Sequence, residues 1–323
     1  MNHAIKKHRI VMTLAAILVA AAASPAFPAN GVDVSHLYKL ANFSGTIPYN
    51  EATISADRFH DEVYVLYQNY VRVYNSSGME VYGFGNDEAL GWMRDLAVDE
   101  KGDIYLLSYG GYSVGSDRPD YRMVRCNYRG EALESITVKD LPPEYSRFLP
   151  QRLIYRDGRF ILVSRNQPLA VETDKKGVFR RGYDFGRLLE IPEKDRPNTD
   201  IFGFSVDGQG NMLFTIPVLF QAFRVSPDGN VSSFGRGGSS PGSFGVVSGI
   251  VADDHGNYLV ADSQRSVVMV FDPTFKFLIE FGYYGNKPQN LVRPRNIAIG
   301  NSGRLYVVQL GHRGVSVFSV TPN

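Results

Sequence analysis

Sulfur chemistry is nearly absent from this chain: 323 residues contain one cysteine, Cys126. No disulfide can form within the chain, so the fold has to be held by a large apolar core. Cys126 lies in the strand-like run Met123-Val124-Arg125-Cys126-Asn127, where a buried thiol is expected. Histidine is also scarce. Beyond the first residues there are only His36, His60, His255 and His312. A zinc centre needs three or four convergent ligands, and so few histidines argue against one. A charge excess is missing as well, with 34 Lys and Arg against 33 Asp and Glu. Without a basic footprint, sequence-independent binding to nucleic acid is not expected. Helical periodicity is absent after the N-terminal segment, apart from a turn that Pro192 to Asp195 could open.

Long apolar runs are lacking too. The one run of note, Ile10 to Ala23, is shorter than the roughly 20 residues a bilayer span needs. It follows the cations Lys6, Lys7 and Arg9 and precedes the small residues Ser24-Pro25-Ala26. This is the order of a cleaved signal peptide. Residues 1–26 are therefore expected to be a leader and 27–323 one mature domain, secreted or periplasmic, with no transmembrane span after cleavage. Three of the basic residues leave with the leader, so the mature chain is slightly acidic.

What the chain has is a repeat. Its clearest copy runs Gly249-Ile250-Val251-Ala252-Asp253-Asp254-His255-Gly256-Asn257-Tyr258-Leu259-Val260-Ala261-Asp262, then Val267 to Asp272, then Phe277-Leu278-Ile279-Glu280-Phe281-Gly282. Each piece is a short β-branched and aromatic run bounded by Asp, Asn or Gly, the pattern of a strand with turns. Four such strands in succession make one antiparallel sheet. Further copies begin at Thr53, Asp95, Arg152, Gly203 and Asn296. Their spacing of about 42 to 57 residues is that of propeller blades. The expected fold is all-β, a six-bladed propeller of four-stranded antiparallel blades. The last blade lacks its outer strand, and Leu37 to Gly45, ending in Phe43-Ser44-Gly45, is the expected replacement. Docked there, it closes the ring and hides two sheet edges.

Two stretches resemble the NHL repeat family. Gly237-Gly238-Ser239-Ser240-Pro241-Gly242-Ser243-Phe244 leads into Ser248-Gly249-Ile250-Val251-Ala252-Asp253, and Leu291-Val292-Arg293-Pro294-Arg295-Asn296-Ile297-Ala298 repeats the passage from loop to strand. The resemblance extends over the whole mature chain, more weakly in blades 3 and 4. It implies the propeller and leaves function open, because the fold hosts sensors, RNA-binding modules, an amidating lyase and many exported proteins.

In such a propeller the first strand of each blade lines the central channel. On the face where those strands begin, here called the upper face, the rim is expected to carry Thr53, Asp95, Arg152, Gly203, Gly249 and Asn296, preceded by Ala52, Arg94, Gln151, Phe202, Ser248 and Arg295. Asp262 and Gln309 end second strands nearby, and Arg165 and Arg265 lie in adjoining loops. Tyr70, Trp92, Tyr109, Tyr112, Tyr283 and Tyr284 add aromatic rings. Arginine with exposed Tyr and Trp is the composition of a recognition surface. The long segments 109–121, 139–150 and 187–200 are expected to rise together and wall a pocket beside the channel.

The ligand site is therefore expected among Arg94, Asp95, Arg152, Arg165, Tyr109, Tyr112, Asp262, Arg265, Arg295 and Asn296. The competing reading pairs Asp95 with Arg94 or Arg152 and Asp262 with Arg265 and leaves the tyrosines as core cover. No catalytic set is evident. Gly111-Tyr112-Ser113-Val114-Gly115 matches a hydrolase elbow in letters only, since no helix follows it. The leading functional reading is a non-catalytic module that holds an extracytoplasmic protein, peptide or glycan, with no cofactor. The runner-up is a metal-dependent propeller hydrolase or lyase of lactonase type with a divalent cation in its channel.

Overall fold

The computed structural model describes residues 31–113 and 117–322. The proposed leader and the last two residues of the Gly111–Gly115 motif lie outside the described residues. Six four-stranded antiparallel sheets follow one another along the chain, each with its strands in spatial order. Blade 1 comprises Thr53–Asp57, Glu62–Tyr67, Tyr70–Tyr74 and Glu80–Gly85. Blade 2 comprises Trp92–Val98, Ile104–Tyr112, Pro119–Cys126 and Ala132–Ile136. Blades 3, 4 and 5 open with Arg152–Arg156, Phe204–Val206 and Val247–Ala252. Blade 6 supplies Pro294–Ile299, Arg304–Gln309 and Val315–Pro322, and its fourth strand comes from the other end of the chain.

That closing strand is Val32–Lys39, antiparallel to Val315–Pro322 with Val32 opposite Pro322 and Lys39 opposite Ser316. The expectation of a closing strand is met, but its position is corrected. Val32, Val34 and His36 alternate toward the sheet interior, and His36 packs edge-on against Phe318 at 5.3 Å. Phe43, expected to end the strand, is fully exposed. It sits in the bend between Ala41–Asn42 and Gly45–Thr46, a separate two-stranded ribbon. Alternation, rather than the Phe-Gly ending, decides which residues pair.

Buried side chains form six clusters, and each joins two neighbouring blades. Leu40, Tyr49, Ile54 and Val65 pack with Tyr306 and Val317 across the junction of blades 6 and 1. Phe185, Phe204 and Phe214 stack between blades 3 and 4. On the lower face one turn chemistry recurs. The Oδ1 atoms of Asn75, Asp99, Asn127, Asp174, Asp207, Asp253 and Asp272 each accept the amides two and four residues on, at 2.8–3.1 Å. The residue three positions on has a left-handed φ. It is glycine in six of these turns and Phe275, at φ 68°, in the seventh. Such Asx turns fix hairpin length and hence strand register. The turn expected from Pro192 forms, its carbonyl accepting the Asp195 amide at 2.9 Å, and short helical turns flank it at Phe185–Leu188 and Arg196–Asn198.

Removing residues 31–40 takes away the closing strand and Leu40. Calorimetry of that variant is expected to show a Tm at least about 5 °C lower; an unchanged Tm refutes closure by this strand. Cys126 is fully buried and desolvation pushes its thiol up to about 12. Maleimide labelling of the native protein should be negligible and should appear with the unfolding transition; rapid labelling of folded protein contradicts this packing.

Candidate functional site at the upper channel mouth

Three arginines converge at the upper mouth, two from blade 3 and one from blade 6. Arg152 opens the inner strand of blade 3, Arg165 begins the loop after that blade's second strand, and Arg295 lies in the inner strand of blade 6. The ring of Phe202, just before the inner strand of blade 4, gathers two of them. The guanidinium carbon of Arg165 is 5.1 Å from its centroid and that of Arg295 is 5.6 Å. The two cations are therefore at most about 11 Å apart and repel by at least about 1.5 kcal/mol at an effective dielectric of 20, before solvent screening. Burial, with Arg152 and Arg295 nearby, lowers the Arg165 pKa, while Asp200 and Glu51 act in the opposite direction.

Most of the donors of this cluster are uncommitted. Arg165 donates through Nε to the Ile201 carbonyl at 2.9 Å. Arg152 approaches Asp95 Oδ2 through Nε at 3.3 Å. Arg295 Nη2 stands 3.8 Å from Glu51, and its buried Nε has no acceptor. Among the described residues, the terminal guanidinium nitrogens of Arg152 and Arg165 have no hydrogen-bond acceptor. Planar forks of this kind suit carboxylate, phosphate or sulfate oxygens.

Asp95 is the fixed element beneath the cluster. It is 1% exposed, and its Oδ2 accepts the Leu153 amide at 2.7 Å, tying blade 2 to blade 3. Its Oδ1 is buried without a partner. Desolvation raises the Asp95 pKa despite the opposing effect of Arg152. The expected Asp95–Arg152 pair is thus present, and it leaves the outer donors of Arg152 free.

Blade 2 rises beside the mouth. Its central hairpin continues to Tyr112 opposite Pro119, above the level of the rim. Arg94 lies over the Tyr109 ring at 5.2 Å, and Tyr109 donates to the Pro150 carbonyl at 2.8 Å. Tyr112 is exposed near the top. The other two expected walls are pinned to the blades along part of their length. In segment 139–150, Tyr145 lies over Gly182 of the outer strand of blade 3, and Phe148 is buried against Tyr121. In segment 187–200, Ile191 joins the core between blades 3 and 4, and Arg196 donates to its carbonyl at 3.0 Å. Both segments carry apolar residues that bind them to the scaffold. Arg118 donates to the Ser146 carbonyl and Arg147 pairs with Asp117 at 2.9 Å, so segment 139–150 braces the raised hairpin from behind.

Three expected ligand residues prove to be scaffold. Asp262 accepts the amides of Gly245, Val246, Gln264 and Arg265 at 2.6–3.1 Å. The Arg265 guanidinium points away from it, to Glu280 and the Ser243 carbonyl, each at 2.7 Å. Asn296 donates to the Ala52 carbonyl at 2.7 Å, joining blade 6 to blade 1. The glycines at the equivalent rim positions also have a structural cause. A Cβ on Gly203 would lie 2.2 Å from the Ser248 carbonyl oxygen, and one on Gly249 would lie 2.8 Å from Ile297. Inner strands approach more closely there than at Arg152, where a long side chain fits. Phe202, Glu51 and Asp200 join the site without having been singled out as ligand residues. Phe202 alone had a signal, its place beside the rim.

The four histidines make their contacts elsewhere: His60 with Asp57 at 2.6 Å in a lower turn, and His312 with the Pro48 carbonyl at 3.3 Å. Among the described residues, no group of three or more His, Cys, Asp or Glu side chains is placed to hold a metal ion.

No protein-family model matches the chain, and no curated protein sequence matches it. Solved structures do. A protein of unknown function from Bacteroides thetaiotaomicron is 12% identical, with 90% of this chain and 76% of that one covered, at a TM-score of 0.57. One from Bacteroides caccae is 16% identical over 76% of this chain and 80% of its own, at 0.51. Virginiamycin B lyase from Staphylococcus aureus is 10% identical over 90% and 99%, at 0.54. At these identities the likeness is one of fold.

A raised Asp95 pKa means that the folded state holds this proton more tightly than the unfolded chain. Stability from this group is full below the ordinary carboxylate range and is lost as pH rises through the folded value. Asp95→Asn keeps an acceptor for the Leu153 amide and removes the buried charge. In urea unfolding the variant should gain on wild type as pH rises from 4 to 8. A variant that loses ground over that interval contradicts the assignment.

Proposed function

We propose that the protein is a non-catalytic binding module that holds an anionic group of an extracytoplasmic protein, peptide or glycan at the upper channel mouth. The observation that carries the reading is the gathering of Arg165 and Arg295 over Phe202, with Arg152 close enough to act on Arg165 and the outer donors of Arg152 and Arg165 uncommitted. Like charges gathered on a rigid scaffold cost electrostatic free energy that an anion recovers on binding. The backbone at the site is held by bonds that do not involve the ligand: Arg165 donates its amide to Gln151 at 2.7 Å, and Asp95 holds Leu153. Such preorganisation reduces the ordering cost of association.

Export by the N-terminal leader and kinship with NHL-type repeats belong to the same proposal and rest on the sequence patterns alone. The lyase neighbours do not carry their chemistry to this chain, since 10% identity transmits a fold and not a site. Nucleic acid is not the expected partner, given the balance of charge.

Citrate is a suitable probe because it presents several carboxylates and little else. Calorimetric titration should show binding that weakens with salt, and Arg165→Ala combined with Arg295→Ala should reduce affinity by roughly tenfold or more. The sites are partly exposed, so a thermal melt can confirm that the variant is folded. Absence of citrate binding by the wild type, or equal binding by a folded variant, would falsify the reading.

A further inference from the structure

In a ring of six, blades 2 and 5 stand opposite one another. The upper face exposes aromatic rings at both of these positions, and Phe220 adds one on blade 4. At blade 2, Trp92 opens the inner strand and is exposed opposite Tyr109 in register, and Tyr112, on the raised hairpin, is 68% exposed opposite Pro119. At blade 5, Tyr283 and Tyr284 follow the outer strand Phe277–Gly282 and are both exposed, Tyr284 at 78%. The arginine cluster lies between them, with Arg94 on the blade 2 side. Single exposed aromatics are ordinary on any surface. Rings at both ends of a diameter, with cations at its centre, form a line.

We infer that the mouth is the middle of a linear track and that its ligand is an acidic polysaccharide, a chain of uronic-acid sugars lying across the upper face from blade 2 to blade 5. The inference rests on the anion-binding reading of the mouth and adds the ligand class. A pyranose ring has an apolar C–H face that stacks on Tyr or Trp, and a uronic acid adds a carboxylate at each sugar. Aromatic platforms at the ends and guanidinium forks in the centre match both features. An acidic peptide fits less well. Extended peptides gain affinity from a strand edge or a groove. The upper face offers hairpin ends and interblade loops, while the open edges of the outer strands run along the sides of the ring. Tyr and Trp also supply contact area at a low cost in conformational entropy, which suits a site that must hold a stiff chain.

The test titrates the full protein with citrate, hexagalacturonate and hexaglutamate under one salt condition, with anionic phospholipid vesicles as a further arm. Hexagalacturonate should bind at least about tenfold tighter than either of the other two soluble probes. Trp92→Ala combined with Tyr284→Ala should abolish that advantage and leave citrate affinity within about twofold of wild type. Both side chains are exposed, so an unchanged Tm can confirm that the double variant is folded. Hexaglutamate binding as tightly as hexagalacturonate, an aromatic variant that loses nothing, or vesicle binding that depends on Trp92 and Tyr284 without any preference for hexagalacturonate overturns the inference. Citrate binding that depends on Arg165 with no gain for hexagalacturonate sinks this inference alone. Failure of citrate itself removes the anion reading beneath it.

Discussion

The pairing of Val32–Lys39 with Val315–Pro322 is the constraint on which the rest depends. Each blade buries its faces only against its two neighbours, so an unclosed ring would leave blade 6 short of a strand and two blade faces in water. The channel mouth has the same dependence. Arg165 belongs to blade 3, Phe202 to blade 4 and Arg295 to blade 6, and these side chains meet only across a closed ring. Ring closure is also fastened laterally. Asn296 reaches the Ala52 carbonyl, and Arg304 pairs with Asp61 at 3.1 Å. These bonds join the last blade to the first without using the closing strand.

The two faces of the ring divide the work. On the lower face, Asp or Asn followed three residues later by a left-handed residue repeats with little variation. Each turn satisfies its own amides and sets the register of the strands it joins. Phe275 is the exception. It accepts a left-handed φ and stacks on Phe234 at 4.8 Å, which shows packing overriding local preference. On the upper face the connections differ from blade to blade, because there the polar side chains that tie neighbouring loops together are individually placed. Asp262 and Gln309 hold amides of adjoining loops, and Asn69 holds that of Met93 in the inner strand of the next blade. Once those bonds are made, loop tips and nearby arginines are free to differ.

Charge at the mouth follows from burial as much as from count. Asp95 is nearest to Arg152, yet desolvation raises its pKa and keeps it a poor counter-ion. Glu51 stands at the edge of hydrogen-bond reach of Arg295, and its contact at 3.8 Å is a weak one. The cluster is therefore surrounded by carboxylates that do not consume its donors. Phe202 offsets part of the repulsion, since each guanidinium over the ring gains about 0.5–1 kcal/mol. The result is a set of cations of which Arg165 and Arg295 are held by an aromatic ring, Arg165 also by a backbone carbonyl, and Arg152 by its contact with Asp95.

The blades were legible in the sequence because what defines them is local. Strands from Thr53 to Asp57 and from Arg152 to Arg156 begin and end where the Asp, Gly and β-branched pattern places them. So was the presence of arginines at the rim, since rim positions follow from counting along inner strands. The closing strand was displaced because Phe43-Ser44-Gly45 imitates a blade ending, while only a partner strand can select the alternating face of Val32, Val34 and His36. Asp262, Arg265 and Asn296 looked like ligand residues because sequence cannot distinguish a carboxylate that accepts four amides from one awaiting a cation. The walls of the mouth were equally hidden. A long segment such as 139–150 lies where Tyr145 and Phe148 find cover, and that depends on Gly182 and Tyr121 of two different blades. Repeat, strand and turn are settled by neighbours within a few residues along the chain. Pairing across the ring, and the choice between scaffold and site, is settled by neighbours that only the closed fold supplies.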